Sequence, residues 1–229
     1  MSARCVPRWL LLLAIAAEVP RAQDSASASL LDGAAARYRA ARSVRAPFEQ
    51  WLTNPLTKTT RAAHGEFLQR GRRRFALRFS EPAGDAIVSD GAFVWMYLPS
   101  TVKGQVIKLP LVAGAGFDFI GELLTTPRQH YAVTTLADET VGGHRCAVFS
   151  LAPRTSNAPF TGAKLWIGTD DLLLWQLETV EPSSLVRRVL FTSVTLNGAL
   201  PKGALTFALP PGTRVVDQQA LMGGTSRKP

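Results

Sequence analysis

The stretch RFALRFSEPAGDAIVSDGAFVWMY, residues 74–97, decides the fold class of this chain. Apolar and polar residues alternate in its first part, so Phe75, Leu77 and Phe79 fall on one face of a predicted strand. A tight turn is predicted at Ser89-Asp90-Gly91, because aspartate can accept bonds from nearby backbone and glycine adopts positive φ without steric cost. The strands on either side of that turn are therefore expected to pair antiparallel.

The same pattern of short runs broken by Gly, Pro, Asn and Asp continues along most of the chain and predicts about eleven strands. Two amphipathic helices are predicted at residues 29–44 and 116–125, the second ended by Pro127. A sheet of that length twists and curls into a barrel or a deeply curved open sheet. The helices could cover one side of it, and a filled core or a lid over a hollow would give the same sequence pattern.

Composition and charge are those of a globular protein with a basic surface. Of 229 residues, 46% are apolar and 19% are charged, and the formal net charge is +9. Such a balance suits nucleic acid, an anionic membrane surface or an acidic protein partner. The densest basic cluster runs from Arg70 to Arg74, and a solvated turn is the plain explanation of it. No stretch divides the chain into domains, so one domain is expected.

The amino-terminal residues resemble an export signal. Arg4 and Arg8 precede an apolar run at residues 9–17, which is too short to span a bilayer as a helix. We expect a cleaved signal peptide over residues 1–22 and a single domain over residues 23–229, with a cut at Ala26 or Ala28, or a retained anchor, as alternatives. Export makes nucleic acid an unexpected partner.

Residues for catalysis or metal binding are sparse. The three histidines are scattered, and neither a His-x-x-x-His nor a Cys-x-x-Cys spacing occurs, so no metal site and no cofactor are expected. His144 and Cys146 point the same way on one predicted strand, which would permit a nucleophile and a base. A single cysteine in a strand is more commonly a small buried hydrophobe, so the sequence does not indicate an enzyme.

Several short segments together resemble the LolA family of periplasmic outer-membrane lipoprotein carrier proteins. The resemblance extends over nearly the whole chain after the signal and is strongest over residues 48–110. It rests on these segments: Phe48-Glu49-Gln50, Gly65-Glu66-Phe67, Phe75 through Ser80-Glu81-Pro82, Ile87-Val88-Ser89-Asp90-Gly91, Val94-Trp95-Met96-Tyr97, Gln105-Val106, Leu205-Thr206-Phe207, Pro210-Pro211-Gly212-Thr213 and Val216-Asp217.

This resemblance implies a mainly β fold with helices (α+β). It would be a strongly curved, incomplete antiparallel barrel of about 11 strands, with a lid of two or three short helices over an apolar cavity. It also implies a monomeric, non-enzymatic carrier of acylated lipoproteins in the periplasm of a Gram-negative bacterium. Such a carrier would receive its cargo from an inner-membrane ATP-driven lipoprotein-releasing complex and deliver it to an outer-membrane lipoprotein receptor.

Under this resemblance the candidate site is an apolar cavity closed by a latch. The cavity residues are expected from both layers, namely Phe67, Phe75, Leu77, Phe79, Ile87, Trp95 and Tyr97 from the sheet and Tyr38, Phe117, Ile120 and Leu124 from the helices. The family usually has an Arg-Pro pair whose arginine ties the lid helices. An ungapped match puts Gly71-Arg72 at that pair, so Arg70 and Arg72 are both candidates for the latch.

Two other functions remain open at this stage. One is a related lipid- or lipoprotein-sensing binding module of the cell envelope with the same sheet. The other is an exported hydrolase that uses His144 or Cys146.

Overall fold

The computed structural model describes residues 20–111, 119–156 and 158–217. They form three helices, α1 Pro20–Ala40, α2 Phe119–Leu124 and α3 Pro127–His130. The strands are β1 Ser43–Asn54, β2 Thr59–Arg70, β3 Arg74–Glu81, β4 Ala86–Asp90, β5 Phe93–Tyr97, β6 Gln105–Pro110, β7 Tyr131–Val141, β8 His144–Pro153, β9 Gly162–Gly168, β10 Leu174–Val180, β11 Val186–Phe191, β12 Thr195–Leu196 and β13 Arg214–Asp217.

These strands make one sheet in the order β13-β6-β5-β4-β3-β2-β1-β11-β10-β9-β8-β7, with β12 also paired to β1. Two antiparallel meanders, β1 to β6 and β7 to β11, meet where Phe48 of β1 lies opposite Phe191 of β11. The short strand β13 runs parallel to β6. Within the described residues the edge strands β13 and β7 do not pair with each other, so the sheet is open and curved. The predicted incomplete barrel with few helices is confirmed.

One face of the sheet, called the inner face here, is covered by α1 and α2. Alternate residues of the strands point to it, and they pack with Leu31 and Tyr38 of α1 and with Ile120 and Leu123 of α2. Helix α1 packs against strands β7, β8 and β9 of the sheet and also contacts α2. Burial of these side chains at about 25 cal/mol per Å² of apolar area is what holds the helices against the sheet.

The opposite, outer face carries a smaller core beneath the carboxyl-terminal segment. Residues 200–207 cross this face as an irregular strap in which residues 202–205 form turns. Arg78 binds the strap through two backbone oxygens, with Nε 2.9 Å from the oxygen of Ala204 and Nη2 2.8 Å from that of Thr206. Leu205 is buried there against Leu68 and its neighbours on the sheet.

The side chains of β5 point to the opposite faces of the sheet from those expected. Trp95 stacks on Phe207 with the ring centroids 5.7 Å apart, and Tyr97 is opposite Ala86 of the outer core, so both lie on the outer face. Val94 and Met96 face the helices instead. The prediction that Trp95 and Tyr97 face the interior was wrong because this strand is apolar on both sides, and alternation then cannot say which side is inside.

Helix boundaries also differ from the sequence-based expectation. Helix α1 begins at Pro20 and ends at Ala40, and the chain is already in β1 at Ser43. Residues 43–45 pair with β2, and residues 44–45 pair with β12 as well; such tertiary pairing overrides a local helical pattern. Pro127 ends α2 as predicted but then starts α3, where its missing N–H costs nothing.

Gly65 lies at a bulge between β2 and β3, where there is no space for a side chain. A Cβ on this residue would lie 2.9 Å from the ring of Phe48 and 3.0 Å from Cα of Phe79, and closer still to the carbonyl oxygen of Arg78.

We therefore predict that Gly65→Ala lowers the free energy of unfolding by about 1–3 kcal/mol, because the backbone must move to make room for the methyl group. Urea denaturation followed by circular dichroism measures this.

Gly162→Ala is the matched control for that substitution. Gly162 is also in a strand, but the nearest atom to its added Cβ would be the oxygen of Leu151 at 4.0 Å. The free energy of unfolding of the Gly162→Ala variant should be unchanged or slightly raised, because alanine loses less backbone entropy than glycine on folding. Equal effects of the two substitutions would contradict the crowding assigned to Gly65.

Candidate functional site

A cavity of about 890 Å³ lies at one end of the inner face. It is bounded by the end of α1 and the start of β1, the turn between β2 and β3, the α2–α3 region, and the segment that follows β8. These pieces meet because the register of β1 and β2 puts Ser43 opposite Arg70. The volume is within the range of about 300–1,000 Å³ that is usual for ligand sites.

The floor of this cavity is apolar and its rim is basic. Buried side chains of Val44, Ile120, Leu124 and Tyr131 line it. The exposed lining residues include five arginines, Arg39, Arg42, Arg70, Arg72 and Arg73. An apolar ligand could thus be taken out of water at the floor while its polar end stays at the rim.

Tyr38 fixes the end of α1 above the floor. Its hydroxyl oxygen accepts a hydrogen bond from the backbone N–H of Leu174 at 3.1 Å. Burial raises the pKa of Tyr38 well above its usual value, while the bond from Leu174 acts the other way. The side chain is therefore a neutral phenol that satisfies a buried backbone donor of β10.

Tyr131, the first residue of β7, ties α2 to the opposite wall. Its hydroxyl donates to the carbonyl oxygen of Glu122 at 3.3 Å, and its ring stacks on Phe160 with centroids 5.7 Å apart. Burial, and secondly the charge of Glu122, raises the pKa of Tyr131 to about 12. The Tyr131 side chain is thus uncharged at neutral pH.

Two polar contacts join α1 to the α2–α3 region. Arg39 Nη1 donates to the carbonyl oxygen of Thr125 at 2.7 Å, directly after the end of α2. Arg128 Nε lies 3.1 Å from Oδ1 of Asp32. Both contacts are exposed, so each contributes modestly to stability. They are weak ties across the junction of the two helical pieces.

The structure brings together only some of the residues expected in a cavity. Tyr38, Ile120 and Leu124 line the large cavity, as do Arg70 and Arg72. Phe67, Leu77 and Ile120 border a separate void of only about 10 Å³. Phe75 is fully buried, and Phe79 and Ile87 pack partly buried against the same core. Trp95 and Tyr97 lie on the outer face, and Phe117 is outside the described residues.

The side chains of the two predicted latch residues, Arg70 and Arg72, do not bind the described helices. Neither the Arg70 nor the Arg72 side chain makes a hydrogen bond or ion pair with the described residues, although both are at the cavity rim. The bond from an arginine to a carbonyl oxygen at a lid helix comes from Arg39 of α1. The β2–β3 turn carries Arg70 and Arg72 at the rim, and Gly71, with φ of 64°, lets the chain reverse there.

Arg39 and Tyr131 are the side chains of the candidate site that the sequence did not single out. A cation in the last turn of a helix is common, because it interacts favourably with the helix dipole and the last carbonyls, so Arg39 carries no distinctive signal. Tyr131 begins a strand after a short helix, and nothing in the pattern shows that it faces α2. Both were detectable only through contacts between distant segments.

The residues weighed for catalysis are not arranged for it. Cys146 is buried, and its thiol donates to the backbone oxygen of His144 at 3.4 Å. Burial raises the pKa of Cys146 to about 11, so the thiolate is scarce at neutral pH. The His144 ring stacks on Trp175 at 3.5 Å between centroids. No cluster of possible metal ligands occurs among the described residues.

Within the described parts of the chain, no helix combines the length and apolarity needed to cross a membrane.

Among known proteins, the chain is similar to a curated "Outer-membrane lipoprotein carrier protein" of Methylibium petroleiphilum. The two are 26% identical over 219 residues, which is 92% of this chain and 97% of the relative. Among solved structures, an uncharacterized conserved protein from Thermus thermophilus matches with a TM-score of 0.51 at 13% identity, covering 83% of this chain and 98% of that one. That likeness concerns the fold.

A LolA superfamily protein from Nitrosomonas europaea is also similar, with a TM-score of 0.40 at 14% identity, covering 79% of this chain and 97% of that one. The family model "Outer membrane lipoprotein carrier protein LolA" matches residues 39–208, which include most of the sheet and the cavity. The chain therefore belongs to the LolA family.

Proposed function

We propose that this protein is a periplasmic carrier that binds the acyl chains of lipoproteins released from the inner membrane and passes them to an outer-membrane receptor. The observation that carries the proposal is the cavity of about 890 Å³ with its apolar floor and helical wall. Membership of the LolA family and the name of the Methylibium relative support a lipoprotein-binding carrier role.

The need for such a carrier follows from the cost of exposing acyl chains to water. Burial of one methylene is worth about 0.8 kcal/mol, so a chain of roughly 14 methylenes favours an apolar site by about 11 kcal/mol. A lipoprotein therefore does not leave a membrane unaided at a useful rate. A carrier has to offer comparable apolar surface and still release the cargo at its destination.

The helices can provide that release. Beside the cavity, the inner face is already filled, and the void next to Ile120 holds only about 10 Å³. An acyl chain that extends from the cavity towards Phe67 and Leu77 has to displace Ile120, and with it α2. The free energy spent on opening lowers the apparent affinity, because only the open form binds. Transfer to a more favourable site is then downhill.

The remaining parts of the proposal concern location and partners. Removal of residues 1–22 on export would place the protein in the periplasm of a Gram-negative bacterium. There it would act as a monomer between an inner-membrane ATP-driven releasing complex and an outer-membrane lipoprotein receptor. The proposed activity makes and breaks no covalent bond, in keeping with the buried and protonated thiol of Cys146.

A release assay tests this function. The exported chain is purified and mixed with inner-membrane vesicles that contain the releasing complex and a labelled lipoprotein. Labelled lipoprotein should appear in the soluble fraction in complex with the chain, and only with ATP present. Label that stays in the vesicles at every concentration of the chain would contradict the carrier proposal.

Filling the cavity should abolish binding. Ala41 is half-buried, lines the cavity and follows the last turn of α1. We predict that Ala41→Trp weakens binding of an acyl ligand by about tenfold or more, because an indole occupies space that the chain would use; a tenfold loss corresponds to about 1.4 kcal/mol. Native mass spectrometry of complexes with palmitoylated peptide measures the bound fraction.

Ala36→Trp is the control for this substitution, since Ala36 is exposed on α1, the helix that precedes Ala41, and does not line the cavity. It should bind and release as the unsubstituted protein does. If the two substitutions weaken binding equally, the cavity is not the acyl site.

Removing the tie between α1 and α2 should make opening easier. The exposed bond from Arg39 to Thr125 contributes about 0.5–1.5 kcal/mol to the closed form. We predict that Arg39→Ala tightens acyl binding by about two- to tenfold, because a larger fraction of the protein is open. Fluorescence titration with a dansylated acyl probe measures the affinity.

Arg37→Ala is a suitable comparison for Arg39→Ala. Arg37 is also in the last turn of α1, but it donates to the backbone oxygen of Asp171 in the turn between β9 and β10, not to α2. The Arg37→Ala substitution should leave the affinity for the acyl probe nearly unchanged. Tightening by Arg37→Ala and none by Arg39→Ala would show that the moving element is α1 on the sheet.

A further inference from the structure

Three arginines at the cavity rim have no acidic partner in the part of the chain that the structure describes. They are Arg42, Arg70 and Arg72, called the mouth arginines here, and each is exposed and lines the cavity. The other two arginines of the rim donate to backbone oxygens, Arg39 to Thr125 and Arg73 Nε to Gly91 at 2.8 Å. The mouth arginines are therefore the guanidinium groups of the rim that remain available to a ligand.

Elsewhere this protein pairs many of its arginines with carboxylates. The N···O distances are 2.6 Å for Arg45 and Glu66, 2.9 Å for Arg145 and Asp138, and 2.7 Å for Arg188 and Glu178. At the rim, by contrast, the mouth arginines form no ion pair with a described residue, and Glu122 is the one acidic side chain among the described residues that line the cavity. The basic groups there outnumber the acidic one and repel one another, and an anion placed among them relieves that repulsion.

Backbone geometry holds the mouth arginines together. Arg42 directly precedes β1 and Arg70 ends β2, where Ser43 and Arg70 are opposite each other in the sheet. The N–H of Gly71 donates to the oxygen of Arg42 at 3.1 Å, which joins the turn to the start of β1. Arg70 is thus carried by the end of a strand, and Arg42 and Arg72 directly adjoin the hydrogen-bonded pair of β1 and β2.

The position of this charge relative to the apolar floor points to one class of ligand. Val44 and Tyr131 line the same cavity from buried positions, so apolar and guanidinium surfaces lie within one volume of about 890 Å³. A guanidinium binds carboxylate or phosphate through two parallel hydrogen bonds, which a neutral ester or alcohol cannot accept in that form.

We propose that the cavity, besides the acyl chains of lipoproteins, accepts an amphiphile in which an acyl or alkyl chain is joined closely to an oxyanion, with the chain on the apolar floor and the carboxylate or phosphate on Arg42, Arg70 and Arg72. This inference rests on the proposed acyl-binding cavity and adds a second class of ligand to it, because an acyl chain with a neutral head would gain nothing from the mouth arginines. The oxyanion can come from a fatty acid or from a phosphate-bearing lipid.

Isothermal titration with three ligands that share a dodecyl-length chain separates these sources. The ligands are dodecanoate, dodecyl phosphate and the neutral monododecanoylglycerol, each used below its micelle concentration. We expect one or both anionic ligands to bind about tenfold or more tighter than the neutral one, a difference of about 1.4 kcal/mol. A preference for dodecanoate would indicate a fatty acid, and a preference for dodecyl phosphate a phospholipid-like cargo.

The triple variant Arg42→Gln, Arg70→Gln and Arg72→Gln tests the assignment to these residues. It should bind the anionic and neutral ligands within about threefold of each other, with neutral binding retained, because it loses the charge-assisted bonds and keeps the floor. The control is Arg61→Gln, Lys164→Gln and Arg214→Gln, three exposed basic residues that do not line the cavity. It removes the same charge and should keep the preference.

A measurement on the unsubstituted protein keeps the test independent of how the variants fold. Raising the salt concentration should weaken the anionic ligands and leave the neutral one unaffected, because salt screens exposed charges. Inorganic phosphate alone should bind far more weakly than dodecyl phosphate, and equal binding would overturn the link to the cavity.

Two outcomes would overturn the proposal in different ways. Equal affinity for neutral and anionic ligands would reject the anionic cargo, leave the carrier function standing, and free the mouth arginines for docking to an acidic protein surface. Failure of every dodecyl ligand to bind would reject the acyl-binding cavity itself.

Discussion

The need to cover an apolar inner face governs this structure. The sheet is open, so it cannot close over Phe75, Leu77 and the other large side chains of that face by pairing its own edges. Helices α1 and α2 supply the missing wall by apolar contact and by side-chain bonds such as those of Tyr38 and Arg39. A wall held in this way can separate from the sheet without breaking a strand pair, which is what a carrier with a reversible load requires.

The cavity combines two kinds of surface from segments far apart in the chain. Its floor is made by Val44 of β1, by α2 and by Tyr131 of β7, while its charge comes from the turn between β2 and β3 and from the residue before β1. Under the proposed function, burial would drive an acyl chain into the floor, and the guanidinium groups would act only on the group attached to that chain. Affinity and selectivity can therefore change independently in this arrangement.

The sequence foretold the architecture better than the site. Alternation in β3 placed Phe75, Leu77 and Phe79 correctly because charged or small residues occupy the other side. The same method failed for Trp95 and Tyr97, since both faces of β5 are apolar and both are covered. The cavity is a matter of volume left unfilled, and no pattern of residue types reports it. The tie from Arg39 to Thr125 joins residues 86 positions apart, which local periodicity cannot indicate.

The strap on the outer face also determines how the molecule behaves towards its own copies. Without the strap, Leu68, Ala76 and Val88 would form an exposed apolar surface on the side away from the helices, and such surfaces promote self-association. Arg78 and the stacked pair of Trp95 and Phe207 keep that surface shut whatever the helices do. Under the proposed carrier function, cargo would be loaded and unloaded on one side of the sheet, while the covered side would offer no apolar surface to neighbouring molecules.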